Sequence, residues 1–111
     1  MVELIQDKKE IERIISEKIK DKRHVYTRNY RLRNAMRDIS DEKVMEIFPQ
    51  FEKVFAIEKK TLKYGDIGYE FFYKLSNNIT FSIAFCPKEN RLEFIHAIEY
   101  KRDLGKRFKV N

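Results

Sequence analysis

Two arginines placed one helical turn apart have the clearest chemical potential in this sequence. Arg33 and Arg37 are four residues apart, and at about 100° per residue they share a sector of about 60° with Tyr30. Neighbouring guanidinium groups repel each other by about 0.3 kcal/mol unless an anion or an acid neutralises them. We therefore predict that Tyr30, Arg33 and Arg37 bind phosphate. The alternative is an ion pair with Glu42, Glu46 or a carboxylate of the predicted sheet.

A second cationic group follows the last predicted strand, where Tyr100 is succeeded by Lys101 and Arg102. A tyrosine beside two cations suits stacking on a base together with phosphate contact. Lys101 and Arg102 are therefore predicted phosphate-binding residues, and Tyr100 is a candidate catalytic residue. The alternative is a polar strand end without a ligand.

The two histidines are the other candidates for acid or base catalysis. His24 lies among basic residues in a predicted linker, and the alternative is that it is simply solvated. His96 alternates with Leu92, Phe94 and Ile98, so we expect it to point toward the helices and to be hydrogen-bonded within the core. A bulge in the strand would instead turn His96 to the open face of the sheet, near Glu93 or Glu99.

The positive charge is concentrated in two segments of a chain of 111 residues with a net charge of +6. Residues 18–37 carry eight basic side chains and one acid, and residues 101–109 carry five basic side chains and one acid. Such clustering produces a directed positive field, which attracts polyanions such as nucleic acid. Ordinary solubilising charge is the alternative.

Several function classes lack support in the sequence. It contains no Gly-rich phosphate loop, no Gly-x-Ser-x-Gly and no His-Glu-x-x-His, so we expect no cofactor. A single cysteine offers neither an internal disulfide nor a zinc site, and we expect no metal. No apolar run approaches the roughly 20 residues that cross a bilayer, and residues 1–4 lack a signal-peptide pattern, so we expect a cytoplasmic protein.

The hydrophobic pattern predicts one α+β domain over residues 1–111, with three N-terminal helices packed on a four-stranded antiparallel meander. An amphipathic helix is predicted within residues 1–20, a helical pair over 28–51, the sheet over 54–100 and a basic tail over 101–111. In the second helix we expect Leu32, Ala35 and Met36 to face the core. Ser40 is the predicted N-cap of the third helix, which Pro49 ends near Phe48.

The junction between the second and third helices resembles that of a known group of domains. Asn29, Arg33, Arg37, Ile39 and Ser40 stand at the spacing of His-x-x-x-Arg-x-x-x-Arg-Gly-Ile-Ser-x-x-x-Val, found in small RelE-related and BrnT-like toxin domains. The resemblance covers about residues 28–100 and implies a RelE-like fold with an RNA-cleaving or RNA-binding face. Asn29 replaces the histidine of the pattern and cannot shuttle protons, so His24 would have to take that role.

These observations lead to two hypotheses of different classes. The first is a RelE-like toxin domain that binds RNA or ribosome-bound mRNA and cleaves it without a metal, as an mRNA interferase, and that an acidic antitoxin protein covers. The second is a non-catalytic nucleic-acid- or protein-binding module of the phage or mobile-element type. A homodimer would be favoured if Phe55, Ile57 and Phe72 formed an apolar patch on the sheet.

Overall fold

The computed structural model of the protein describes residues 2–102 and residue 104. In chain order its elements are β1 (Val2–Ile5), α1 (Lys8–Ile14), a π-helical turn (Ile15–Ile19), β2 (Arg23–Tyr26), α2 (Arg28–Met36), α3 (Asp41–Ile47), a 3₁₀ turn (Phe51–Lys53), β3 (Val54–Thr61), β4 (Ile67–Ser76), β5 (Ile79–Pro87) and β6 (Arg91–Tyr100). Within this part of the chain no helix is long and apolar enough to span a membrane.

The α+β class was predicted correctly, but the four-stranded antiparallel meander was wrong. The strands form one six-stranded mixed sheet in the order β1-β3-β4-β5-β6-β2. Strands β3 to β6 pair antiparallel with their sequence neighbours, as expected. Two four-residue strands extend this meander: β1 lies antiparallel to β3, and β2 lies parallel to β6. Such four-residue segments gain their strand conformation from pairing at the sheet edges.

The N-terminal segment begins as a strand rather than as the predicted helix. Helix α1 starts only after Asp7, whose carboxylate accepts a hydrogen bond from the Glu10 amide at 3.0 Å. The predicted apolar stripe is nevertheless buried, through Ile11, Ile14, Ile15 and Ile19. The π-helical turn continues this stripe, so the helical segment covers one side of the sheet.

Helix α2 is rotated relative to the sequence prediction. Thr27 caps it by accepting a hydrogen bond from the Tyr30 amide at 3.1 Å, and its buried residues are Tyr30 and Asn34. Leu32 and Met36, which were predicted to face the core, are 52% and 88% exposed, and Ala35 is exposed as well. The prediction failed because the Tyr30 ring buries more apolar surface than either aliphatic side chain would.

The main core lies between the helices and one face of the sheet. Its centre is aromatic: the Phe48 and Phe94 ring centroids are 5.2 Å apart, and the Phe71 and Phe85 centroids are 4.9 Å apart. We call the opposite side of the sheet the second face. It holds a smaller apolar cluster of Ala56, Phe72 and Leu104 with Leu4, Phe55 and Tyr100 packed around it. Phe72 and Ile57 are fully buried, so the apolar surface patch that would have favoured a homodimer is absent from the part of the sheet described.

Candidate functional site

The first candidate region is one flank of α2, which we call the arginine flank and define by Arg33 and Arg37. Both side chains are exposed, and neither forms an ion pair with any residue in the described ranges. The predicted alternative, neutralisation by Glu42 or Glu46, is therefore not realised there. By contrast, Arg31 on the other side of α2 lies 3.6 Å from a carboxylate oxygen of Asp41.

The buried residues of α2 explain why the arginine flank is held in place. The Tyr30 ring packs against Phe94, with ring centroids 5.8 Å apart, and α2 lies along β6. Arg33 and Arg37 follow Tyr30 by one turn and two turns and so lie beside the packed side of the helix. The helix is thus fixed to the sheet while its guanidinium groups remain in solvent.

The Tyr30 side chain is not accessible to a ligand, so the prediction that Tyr30 binds RNA phosphate is wrong. Its side chain is fully buried, and burial raises the pKa of its hydroxyl to about 12, an effect that neighbouring Asn34 partly offsets. Among the described residues, the Tyr30 hydroxyl and both polar atoms of the Asn34 amide lack a hydrogen-bond partner of normal geometry. Tyr30 anchors α2 instead of presenting a ring to solvent.

The second basic segment also starts from β6. Lys101 and Arg102 are exposed directly after this strand, and no ion pair involves them in residues 2–102. Tyr100 is half-buried on the second face, against the cluster that contains Phe72 and Leu104. Lys43 in the first turn of α3 forms an ion pair with Glu99. Lys101 and Arg102 thus follow the end of β6, whereas α2 packs against this strand through Tyr30 and Phe94. Residues 103 and 105–111 of the predicted tail lie outside the described part.

His24 lies on the edge strand β2, where the predicted linker pairs with β6. Because alternate residues of a strand share a face, His24 and Tyr26 are neighbours, and His24 Nδ1 lies 3.1 Å from the Tyr26 hydroxyl. The imidazole ring also contacts Phe48 and Phe94, with centroid distances of 5.2 and 5.1 Å. His24 is exposed overall, as the solvated alternative predicted, but partial desolvation of its ring lowers the pKa of the imidazole and favours its neutral form.

His96 does not point toward the helices, and this prediction was wrong because β6 contains a bulge. The register between β5 and β6 runs from Ala84 paired with His96 to Phe85 paired with Phe94, which leaves Ile95 as the extra residue. Phe94 and Ala97 therefore face the main core. His96 lies on the second face of the sheet, the orientation expected if the strand contained a bulge.

The partner of His96 is Glu70, rather than Glu93 or Glu99. His96 Nε2 lies 3.3 Å from Glu70 Oε2, across the small side chain of Ala84 on the intervening strand. Glu93 is instead paired with Arg91 at 2.8 Å. The Glu70 side chain is only 7% exposed and that of His96 19%. We call this pair, together with Lys60, the second-face charge cluster, since Lys60 Nζ lies 3.6 Å from Glu70 Oε1.

The charge of Glu70 is stabilised despite its burial. Burial alone would raise the pKa of the carboxyl, but the His96 hydrogen bond, the adjacent Ser82 hydroxyl and the charges of His96 and Lys60 outweigh it. The pKa of Glu70 therefore lies below its ordinary value. Sequence reasoning missed Glu70, although a carboxylate between the aromatic residues Tyr69 and Phe71 was a detectable signal.

Comparison with protein-family models, with curated proteins and with solved structures found no match to this chain. Within residues 2–102 and 104, no three histidine, cysteine, aspartate or glutamate side chains are grouped so that they could hold a metal ion. The arginine flank offers accessible, unneutralised cations, whereas the second-face charge cluster is largely buried and internally paired.

Proposed function

We propose that this protein binds single-stranded RNA, with the phosphates held by the arginine flank of α2. The observation that carries the proposal is that Arg33 and Arg37 are exposed on a firmly packed helix and have no carboxylate partner among the described residues. Guanidinium groups match the geometry of phosphate oxygens and form two parallel hydrogen bonds with them. Lys101 and Arg102, directly after β6, are two further exposed cations that could contact phosphates.

The net charge of the whole chain supports a polyanionic ligand. The chain carries a net charge of +6, and the two basic segments contain much of its positive charge. Contacts with phosphate release counterions, which makes affinity strongly dependent on salt. RNA fits this chemistry, and it is also the ligand that the RelE-related resemblance implies.

The proposal is tested by titrating fluorescently labelled single-stranded RNA with the wild type and with the double variant Arg33→Ala/Arg37→Ala. We expect the double variant to bind at least about tenfold more weakly, because two phosphate contacts are lost. The matched control is Lys8→Ala/Lys9→Ala, which removes two exposed positive charges from α1. Equal losses in both double variants would show that only total charge matters and would contradict the assignment of the site.

Cleavage of the bound RNA is a second candidate activity, and the contact between His24 and Tyr26 favours it. A neutral imidazole could take the proton from a 2′-hydroxyl, whose oxygen would then attack the adjacent phosphorus and expel the 5′-oxygen, which takes a proton from water. The expected product is RNA with 2′,3′-cyclic phosphate ends, and His24→Gln should abolish it while RNA binding persists. If the RNA stays intact after incubation with excess wild-type protein, the cleavage hypothesis is contradicted and only the binding function remains.

A further inference from the structure

A small groove lies beside the arginine flank, between the first turn of α2 and the sheet. Its volume is about 280 Å³, close to the lower end of the range of about 300–1,000 Å³ found for small-molecule sites. Asn29 and Arg33 line it from α2, and the partly exposed Leu62 and Ile95 supply apolar walls beside the buried Phe94. Such a groove is suited to a flat group smaller than most ligands.

The bulge in β6 contributes directly to this groove. In a regular strand, consecutive side chains point to opposite faces, so Phe94 and Ile95 would not both be expected along one cavity. Ile95 is the extra residue of the bulge, and this partly exposed residue lines the groove beside the buried Phe94. The same irregularity that turns His96 to the second face therefore shapes an apolar wall next to α2.

The polar groups around the groove differ in whether they are already satisfied. Lys88 is paired with Asp66 at 2.9 Å, and Glu93 is paired with Arg91 at 2.8 Å. Arg33 has no such partner in the part of the chain described. Asn29 is exposed, and no hydrogen bond engages its side-chain amide within residues 2–102.

We propose that this groove receives one unstacked nucleobase of the RNA, an inference that rests on the proposed function. The apolar walls would contact the base, and the Asn29 amide, which offers both a donor and an acceptor, would hydrogen-bond its edge. Arg33, one turn further along α2, would hold the adjacent phosphate. The groove therefore gives the protein a preference among bases that the arginine flank alone cannot supply.

The test compares four single-stranded homopolymeric RNAs of equal length and an abasic oligomer of that length. We expect the wild type to bind one homopolymer about tenfold more tightly than the others, as hydrogen bonds to a base edge usually discriminate. The abasic oligomer should bind at the level of the weaker homopolymers. Asn29→Leu should equalise the homopolymers without changing the salt dependence, because the exposed Asn29 side chain would contact the base and no phosphate.

The Arg33→Ala variant separates the two proposals, since it should weaken binding to all five oligomers by a similar factor. Wild-type binding that is equal for every homopolymer and the abasic oligomer would overturn the nucleobase site but leave RNA binding intact. A base preference that survives unchanged in Asn29→Leu would also overturn it. No binding to any oligomer would overturn the proposed function together with the nucleobase site.

Discussion

The arginine flank and the second-face charge cluster place charged side chains in opposite environments. Arg33 and Arg37 stand in solvent without carboxylate partners in the described chain. Glu70 is buried on the second face of the sheet, where it contacts His96 and Lys60. Exposed charges cost little to keep unpaired, whereas a buried carboxylate must be compensated from within the protein. The arginine flank is therefore available for a ligand, whereas the second-face charge cluster stabilises the fold.

The largest expected effect is on stability and belongs to the second-face charge cluster. Glu70→Ala should lower the free energy of unfolding by about 3 kcal/mol, because it leaves Lys60 and His96 without their buried partner. Urea denaturation followed by circular dichroism measures this change. Glu58→Ala is the matched control, since Glu58 is the cross-strand neighbour of Glu70 but is more exposed. An unchanged midpoint for Glu70→Ala would show that the cluster contributes nothing to folding.

Acid should destabilise the protein through the same carboxyl. The pKa of Glu70 is lowered on folding from an ordinary value of 4.5, so the unfolded chain binds the proton first as the pH falls. The stabilisation is therefore complete above pH 4.5 and is lost as the pH falls through the lower pKa of the folded state. Urea denaturation at neutral and acidic pH should show a smaller loss for Glu70→Gln than for the wild type. Parallel losses would contradict this linkage.

In contrast to Glu70, the buried Tyr30 hydroxyl on α2 has no hydrogen-bond partner of normal geometry among the described residues. Tyr30→Phe keeps the ring against Phe94 and removes a hydroxyl without a hydrogen-bond partner of normal geometry in the described residues. We expect the free energy of unfolding to stay the same or to rise by up to about 1 kcal/mol. A thermal melt compared with that of Tyr73→Phe is informative, because the Tyr73 hydroxyl donates to the Phe48 carbonyl at 2.7 Å. A larger loss for Tyr30→Phe than for Tyr73→Phe would refute this view of α2.

A smaller effect is expected from His24 at the edge of the sheet. Partial desolvation of this exposed residue lowers its pKa on folding from an ordinary value of 6.5. Its contribution to stability is therefore full above that pH and declines as the pH falls through the folded pKa. His24→Gln should reduce the loss of unfolding free energy that the wild type shows below pH 6.5. The loss that Glu70 causes below pH 4.5 should remain. Chemical denaturation at closely spaced pH values separates the two. An unchanged profile in His24→Gln would show that the ring is not protected by its aromatic neighbours.

The regular parts of the fold were predictable because they depend on local sequence signals. Ser40 was predicted as the N-cap of the third helix, and its hydroxyl does accept a hydrogen bond from the Lys43 amide at 3.2 Å. The four meander strands followed from alternating apolar residues. The edge strands β1 and β2 were missed because each has only four residues and depends on a distant partner strand.

The candidate sites were less predictable, because they depend on which residues tertiary packing selects. Whether Tyr30 or Leu32 faces the core is decided by contact with Phe94, which lies far away in the sequence. The bulge at Ile95 reverses the face to which His96 points, and no local sequence pattern predicts this bulge. The exposure of Arg33 and Arg37 was predicted correctly, since their charges disfavour burial in either orientation of α2.

The salt dependence of RNA binding counts the phosphate contacts that the arginine flank makes. The logarithm of the association constant should fall linearly with the logarithm of the salt concentration, and for single strands each lost phosphate contact should reduce the slope by about 0.7. Arg33→Ala/Arg37→Ala should therefore have a slope about 1.4 smaller in magnitude than that of the wild type, with an unchanged unfolding midpoint. Lys8→Ala/Lys9→Ala should retain the wild-type slope. A slope that Arg33→Ala/Arg37→Ala leaves unchanged would contradict the claim that the arginine flank holds RNA phosphates.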